Sequence, residues 1–180
     1  MSGPVLTPVL TTARFELWQP APGDLADLFE LTHAEETRRY LGGFTPSMPD
    51  SFARLLRNAG SWSLYGYGTF MVRVKEEARL IAACGVFQSH RGFGAEVGLD
   101  DVPEAGWIIH RDFWGQGVAI EVMAAALEWF DTVHGKRRIA AMIEEGHEAS
   151  MAVARQLRFV AYGSHPSDEG PMMQLLQRLP

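Results

Sequence analysis

Cysteine is nearly absent from this sequence of 180 residues: Cys84 stands alone, so no disulfide forms within the chain. It lies in the apolar run Leu80-Ile81-Ala82-Ala83-Cys84-Gly85-Val86-Phe87, which reads as a small buried strand residue in preference to a reactive thiol. Long apolar stretches are also missing. None approaches the ~20 residues of a membrane helix. The start, Met1-Ser2-Gly3-Pro4-Val5-Leu6, has no basic segment leading into an apolar one, as a secretory signal would. These absences predict a cytoplasmic protein with no membrane partner. Basic residues are outnumbered, 16 Lys and Arg against 22 Asp and Glu, for a formal net charge of −6. Basic residues do not cluster, so no nucleic-acid partner is expected, because phosphate contacts need grouped Lys and Arg. The acidic balance suits a cationic or neutral ligand better.

What is present describes a globular chain. Hydrophobic residues make up 47% and charged residues 21%, near the average for soluble domains. The length allows a substantial core, and no repeat, linker or low-complexity segment divides it. One domain over residues 1–180 is expected.

Phe15-Glu16-Leu17-Trp18 alternates as a first strand, ended by Pro20. Gly23-Asp24 opens a helix with Leu25, Leu28 and Phe29 on one face, and a second helical piece covers about Glu35 to Leu41, stopped by Gly42-Gly43. Pro49-Asp50-Ser51 opens a third, with Phe52, Leu55 and Leu56 as its apolar residues and Gly60 as its end signal. Thr69 to Val74 and Arg79 to Phe87, parted by a polar break, predict an antiparallel hairpin. A glycine-rich loop with Glu96, Asp100 and Asp101 leads to a short strand, Glu104 to His110. The strongest helix runs from Val118 to about Val133, with a broad apolar face and Glu121, Glu128 and Asp131 opposite. A strand (Arg137 to Glu144), a helix (Glu148 to Leu157) and a closing strand pair (Phe159 to Tyr162, Met172 to Leu176) complete the chain.

The chemistry concentrates where the strand Trp107-Ile108-Ile109 passes through His110-Arg111-Asp112-Phe113-Trp114-Gly115-Gln116-Gly117 into the long helix. A helix N-terminus presents unpaired N–H groups and partial positive charge. Glycines before it let an anion approach those groups closely. The pattern fits a diphosphate, although a glycine pair before a helix is also ordinary turn chemistry. A P-loop would need Lys and a hydroxyl after the glycine, and neither follows Gly117. A dinucleotide fold would need a third glycine and a parallel unit, whereas a hairpin precedes this segment. His110-Arg111-Asp112 imitates a kinase triplet, but Gly117 occupies the place of its Asn.

From Thr12-Ala13-Arg14-Phe15-Glu16-Leu17 through Tyr67-Gly68-Thr69-Phe70 and Ala83-Cys84-Gly85, the chain resembles the GNAT superfamily of N-acetyltransferases, and within it the RimJ/RimL-like branch. The most specific match is Glu104-Ala105-Gly106-Trp107-Ile108-Ile109-His110 followed by Trp114-Gly115-Gln116-Gly117-Val118-Ala119-Ile120-Glu121, and His147-Glu148-Ala149-Ser150 through Leu157-Arg158-Phe159 resembles the late helix and strand. The resemblance implies an α/β fold of the α+β type: a central, twisted, mixed and mostly antiparallel sheet of six to seven strands with about four flanking helices. It implies acetyl-CoA as cosubstrate, no metal, and transfer of an acetyl group to a primary amine by direct attack in a ternary complex. The amine would belong to a small molecule or a protein N-terminus, and a homodimer is compatible. The loop residues Trp114, Gly115, Gln116, Gly117, Val118 and Ala119 would hold the diphosphate. Trp107, Ile108 and Ile109 would hold the pantetheine arm, with a backbone N–H of Ile108 or Ile109 polarising the thioester carbonyl. The family's loop begins with Gln or Arg where this chain has Trp114. That departure concerns a side chain, while the phosphate ligands are backbone groups.

For the proton transfers, Glu104 matches a family glutamate and is the candidate base, against a solvated charge at a strand entry. Ser150 is the candidate hydrogen-bond donor to the departing thiolate, against a helix cap. His147 stands at the family's Asn and would touch the pantetheine arm. The family's late-helix Tyr is Ala154 here, and Leu157-Arg158-Phe159 replaces Leu-Gly-Phe. Glu96, Asp100 and Asp101 would attract a cationic amine or form a plain acidic loop. Trp62, Tyr65 and Tyr67 line the acceptor cleft or the core. His33, His90, His110, His134 and His165 have no metal-ligand spacing and read as surface or structural. Acceptor choice would reside in residues 42–62, 88–103 and 163–171. A second reading, an acyl-CoA-binding regulatory module without catalysis, follows from Ala154 and His147.

Overall fold

The computed structural model describes residues 7–42, 44–166 and 170–180; Met1 to Leu6 and Gly43 lie outside them, as does part of the 163–171 segment. Where the sequence alternates or runs apolar, strands form: β1 Leu10–Thr11, β2 Phe15–Trp18, β3 Thr69–Val74, β4 Leu80–Gln88, β5 Pro103–Ile109, β6 Ile139–Glu144, β7 Val160–Pro166 and β8 Met172–Arg178. They make one sheet in the order β1-β2-β3-β4-β5-β6-β8-β7. Every neighbouring pair is antiparallel except β5 and β6, which are parallel. Among the described residues five α-helices accompany it: α1 Leu25–His33, α2 Glu35–Arg38, α3 Met48–Tyr65, α4 Val118–His134 and α5 Glu148–Gln156. The expected mixed, mostly antiparallel sheet is therefore present, with an eighth strand. That addition is β1, whose two residues pair with Leu17 and Glu16 and are too short to leave a periodic signal.

The sheet divides the core in two. On one face Val118, Val122, Met123, Ala126, Leu127 and Phe130 of α4 pack with Phe70, Val72, Cys84, Val86 and Ala105, and Ala154 of α5 joins them. On the other, Leu28 and Leu31 of α1 and Leu55 of α3 cover Met71, Leu80 and Ala83, with Ile108 against them. Fully burying side chains of this size stabilises by about 1.5–3 kcal/mol each.

Two helices differ from the sequence reading. α3 starts at a capping box in which Ser47 and Asp50 satisfy each other's backbone N–H. It passes through Gly60 and stops at Gly66, whose φ is 76°. A helical glycine costs about 1 kcal/mol, which the packing beyond it outweighs: Trp62 is buried and its indole donates to the Thr69 carbonyl at 2.9 Å. The inward residues of α3 are Ser51, Leu55, Ser61 and Trp62, whereas Phe52 and Leu56 are exposed. On α4, Glu121 and Asp131 are not a solvated face. Glu121 pairs with Arg14 at 2.7 Å and Asp131 with Arg178 at 2.6 Å, tying the β1–β2 turn and β8 to the helix.

Candidate active site

β5 alternates in two senses, and both matter. The His110 N–H donates to the Ile81 carbonyl at 2.8 Å. With Ala82 opposite Ile109 and Gln88 opposite Pro103, this fixes the parity. Glu104, Gly106 and Ile108 exchange hydrogen bonds with β4, while Ala105, Trp107 and Ile109 turn their N–H and C=O groups the other way. On that other side β6 meets β5 at one residue pair, Glu104 opposite Ala140. Past it the parallel strands diverge, so Trp107 and Ile109 present backbone groups to an opening in the sheet. Ile108 does not join them, contrary to the expectation that its N–H is available: its peptide groups belong to β4, and its side chain packs beneath α1 and α3.

Trp114 has a definite task. Its indole N–H donates to the Ile109 carbonyl at 2.8 Å, covering one of the acceptors that β6 leaves unpaired. Expected among the diphosphate-binding loop residues, this side chain turns back onto β5 instead and closes the end of the opening.

The glycine loop then delivers the chain to α4. Gly115 and Gly117 have φ of 70° and 73°, a region costly for residues with a Cβ. Gly117 is the N-cap of α4, and no side chain caps the helix there. A methyl group on Gly115 would meet nothing within 4 Å, and one on Gly117 only Arg14 Nη2 at 3.9 Å, so the loop's outer side is open. Its inner side is braced. Arg14 Nη2 donates to the Gln116 carbonyl at 3.0 Å, the Gln116 amide donates to the Asp112 carbonyl at 2.7 Å, and Glu121 anchors Arg14 and Thr12. Val118 is buried and Ala119 half-buried beneath this turn. The N–H groups of the first turn of α4 thus point outward beside the opening.

Around the opening, Trp107 Nε1 donates to Ser150 Oγ at 3.3 Å, bringing β5 and α5 together. The acceptance leaves the Ser150 hydroxyl hydrogen free to donate elsewhere. His147 precedes α5, and its ring stacks on Tyr40 with centroids 3.8 Å apart and planes 13° apart. Burial pushes its imidazole below the ordinary value of 6.5. Arg111 pairs with Glu36 of α2 at 2.5 Å. The α2 segment therefore touches both sides of the opening, through Arg111 on one and His147 on the other.

Glu104 is 3% exposed, and its carboxylate accepts from Arg91 Nε at 2.9 Å, Arg91 Nη2 at 2.5 Å and Ser89 Oγ at 2.6 Å. It is the anchor of a buried network. Asp100 accepts from the N–H groups of Arg91, at 2.6 Å, and Gly92, at 3.2 Å, and so pins the loop that supplies Arg91. Sequence reasoning missed Ser89, Arg91, Arg14 and Tyr40, because each acts on a partner at least thirteen residues away and carries no local signal. Trp62 and Tyr67 are core residues, and Tyr65 is exposed. Among the described residues no His, Cys, Asp or Glu group has the arrangement of a metal site, and no helix is long and apolar enough to cross a membrane.

Residues 14–160 match the model of the acetyltransferase (GNAT) domain. The chain belongs to the GNAT acetyltransferase family. It is similar to a GnaT-family acetyltransferase from Bordetella pertussis, with 28% identity, a TM-score of 0.83, and 94% of this chain and 98% of that one covered. An acetyltransferase from Agrobacterium tumefaciens str. C58 superposes with a TM-score of 0.80 at 17% identity, covering 100% of this chain and 99% of its own. The RimL ribosomal L7/L12 alpha-N-protein acetyltransferase in complex with coenzyme A reaches 0.71 at 17% identity, with 97% of each chain covered. As a GNAT family member the chain is an acyltransferase, and RimL shares its fold.

Proposed function

We propose that this chain transfers the acetyl group of acetyl-CoA to a primary amine by direct attack in a ternary complex, acting as one domain in the manner of the RimJ/RimL-like branch. The observation that carries the reading is the backbone edge of β5. Trp107 and Ile109 face an opening that β6 does not fill, and the same strand leads into the glycine loop at the start of α4. A pantetheine arm extends along such an edge as an added strand would. Its diphosphate then meets the first turn of α4, on Gly115, Gln116, Gly117, Val118 and Ala119. Trp114 and His147 border the arm from its two sides.

For the chemistry, a backbone N–H aimed at the thioester oxygen stabilises the tetrahedral oxyanion. Trp107 and Ile109 are the residues of β5 with the parity to supply it. Ser150 donates its hydroxyl hydrogen to the departing thiolate. Glu104 acts as a positioning residue that fixes Ser89 and Arg91 at the cleft mouth, and the amine loses its proton to water. This reading replaces direct proton abstraction by Glu104, because three hydrogen bonds already occupy that carboxylate. The acceptor is a small molecule or a protein N-terminus.

The test is thiol release from acetyl-CoA with a panel of primary amines, beside CoA-dependent thermal stabilisation. Stabilisation with turnover of at least one amine supports the reading. Stabilisation without turnover of any amine favours a second reading, a coenzyme-binding regulatory module, for which Ala154 is the relevant observation. That residue is 0% exposed inside the core, so no hydroxyl stands there to serve as an acid. No stabilisation by CoA refutes both.

A further inference from the structure

α3 is apolar on two sides, and this chain buries one of them. Ser51, Leu55 and Trp62 face inward and are buried. Along the outer surface Met48, Phe52 and Leu56 follow one another at a spacing of four residues, with Leu64 beyond them. These four side chains are between 42% and 78% exposed. Pro49, Ala53, Gly60 and Ser63 lie among them, so the outer arc of this 18-residue helix holds no charged residue. Phe44, also exposed, stands beside Ala53 and Arg57. A methyl group on Gly60 would meet nothing within 4 Å, so the arc is open there too. A surface helix ordinarily turns its charges away from the core face. Here Asp50, Arg54 and Arg57 are confined to one flank of α3. At ~200 Å² for a large side chain, Phe44, Met48, Phe52, Leu56 and Leu64 together present roughly 500 Å² of apolar surface. That is at the upper end of what monomers expose. The small residues between them bring the face toward the ~800 Å² per partner of a stable interface.

We propose that this face of α3 is the interface between two copies of the chain, their α3 helices packed antiparallel about a two-fold axis at Ala53. Size and charge favour that register. Ala53 lets the helices approach closely at the axis, and Met48, Phe52 and Leu56 form a ridge of the kind that enters the groove of a facing helix. Phe52 then meets the partner's Leu56, and Met48 meets the partner's Gly60, where there is room for it. Asp50 comes level with the partner's Arg57, and each contact occurs twice because the same patch serves both copies. An anionic membrane surface suits the face less, since α3 has no lysine and the chain's formal net charge is −6. Such pairing does not depend on acetyl transfer.

Sedimentation velocity and light scattering at micromolar concentration are expected to give the mass of two chains. Phe52→Glu/Leu56→Glu, at two half-exposed positions, is expected to give the mass of one chain with an unchanged circular dichroism spectrum. Association stabilises the folded state, so Tm of the unaltered protein should rise with its concentration and Tm of the double variant should not. Ala53→Cys tests the register. Cys84 is buried, so under a mild oxidant the two copies should be joined through residue 53. Ser63→Cys lies about 15 Å from the axis along the helix and should not join them. A single-chain mass for the unaltered protein overturns the proposal, whether or not that monomer binds anionic vesicles. So does a two-chain mass that survives the double substitution, or joining through residue 63 in place of residue 53.

Discussion

Removing either member of the Glu104–Arg91 pair should reveal how unequal the two partners are. The side chain of Glu104 is 4% exposed and that of Arg91 is 32% exposed. Arg91→Met therefore strands a buried carboxylate with Ser89 as its remaining donor. Leaving a buried charge uncompensated costs about 3–5 kcal/mol. Glu104→Gln leaves the positive partner instead, and a guanidinium one-third open to water is readily solvated. The glutamine oxygen still accepts a hydrogen bond, so the loss is that of charge assistance, about 1–2 kcal/mol. The double variant strands no charge, leaving only a neutral amide beside Ser89. It should cost no more than Arg91→Met alone, a coupling of roughly 1–3 kcal/mol.

Urea unfolding measures these differences. With a slope of about 2 kcal/mol per molar, Arg91→Met should lower the midpoint by about 1.5–2.5 M and Glu104→Gln by about 0.5–1 M, at unchanged slope. Equal losses would refute the burial argument. The same variant decides the chemistry. At a temperature where Glu104→Gln is fully folded, a positioning role predicts kcat within about tenfold of the unaltered protein. A loss of ~10²–10⁴, the usual size of an acid–base effect, would restore Glu104 as the base.

Four further outcomes follow from single positions. Gly117→Ala forces a left-handed backbone at the α4 N-cap, at about 1–2 kcal/mol; coenzyme affinity by calorimetry should fall about tenfold, and an unchanged affinity would place the diphosphate elsewhere. Arg158 has φ of 65° in the turn after α5, where the family has glycine, so Arg158→Gly should stabilise by about 0.5–1 kcal/mol and raise Tm by roughly 1–4 °C. Burial lowers the His147 imidazole, so the unfolded chain binds more protons in the interval below 6.5; thermal stability should fall as pH drops through that interval, and His147→Gln should flatten the decline. Burial pushes the Cys84 thiol up to about 12, so thiol reagents should modify it on unfolding and not in the native protein.

The legible parts of this fold were those whose cause is local. Thr69 to Val74 was readable to the residue because β-branched and aromatic side chains cluster there, and α4 because its apolar positions recur at helical spacing. The hairpin followed from the polar break between β3 and β4. Errors arose where tertiary packing outweighed a local sign. Gly60 looked like a stop, but Trp62 and its bond to Thr69 carry α3 onward. Phe52, Leu55 and Leu56 are the apolar residues of this helix, yet of the three only Leu55 is buried, and the inward face follows Ser51 and Leu55. The site divides in the same way. Its glycine loop is contiguous and could be read, whereas Arg91, Arg14 and Tyr40 reach it from distant segments.

One property unites the site. A strand whose neighbour departs after one residue pair has an unpaired polar edge, and an unpaired edge in a protein interior is costly. Side chains surround this edge but pair only one of its backbone groups. Trp114 covers the Ile109 carbonyl, the Trp107 indole reaches Ser150, and Tyr40 stacks on His147 above the opening. The Trp107 N–H and C=O and the Ile109 N–H are the remainder, and an extended amide chain has the donors and acceptors to complement them. Trp114, where the family loop begins with Gln or Arg, borders this edge through its bond to the Ile109 carbonyl, so a departure in side chain there supplies a backbone partner.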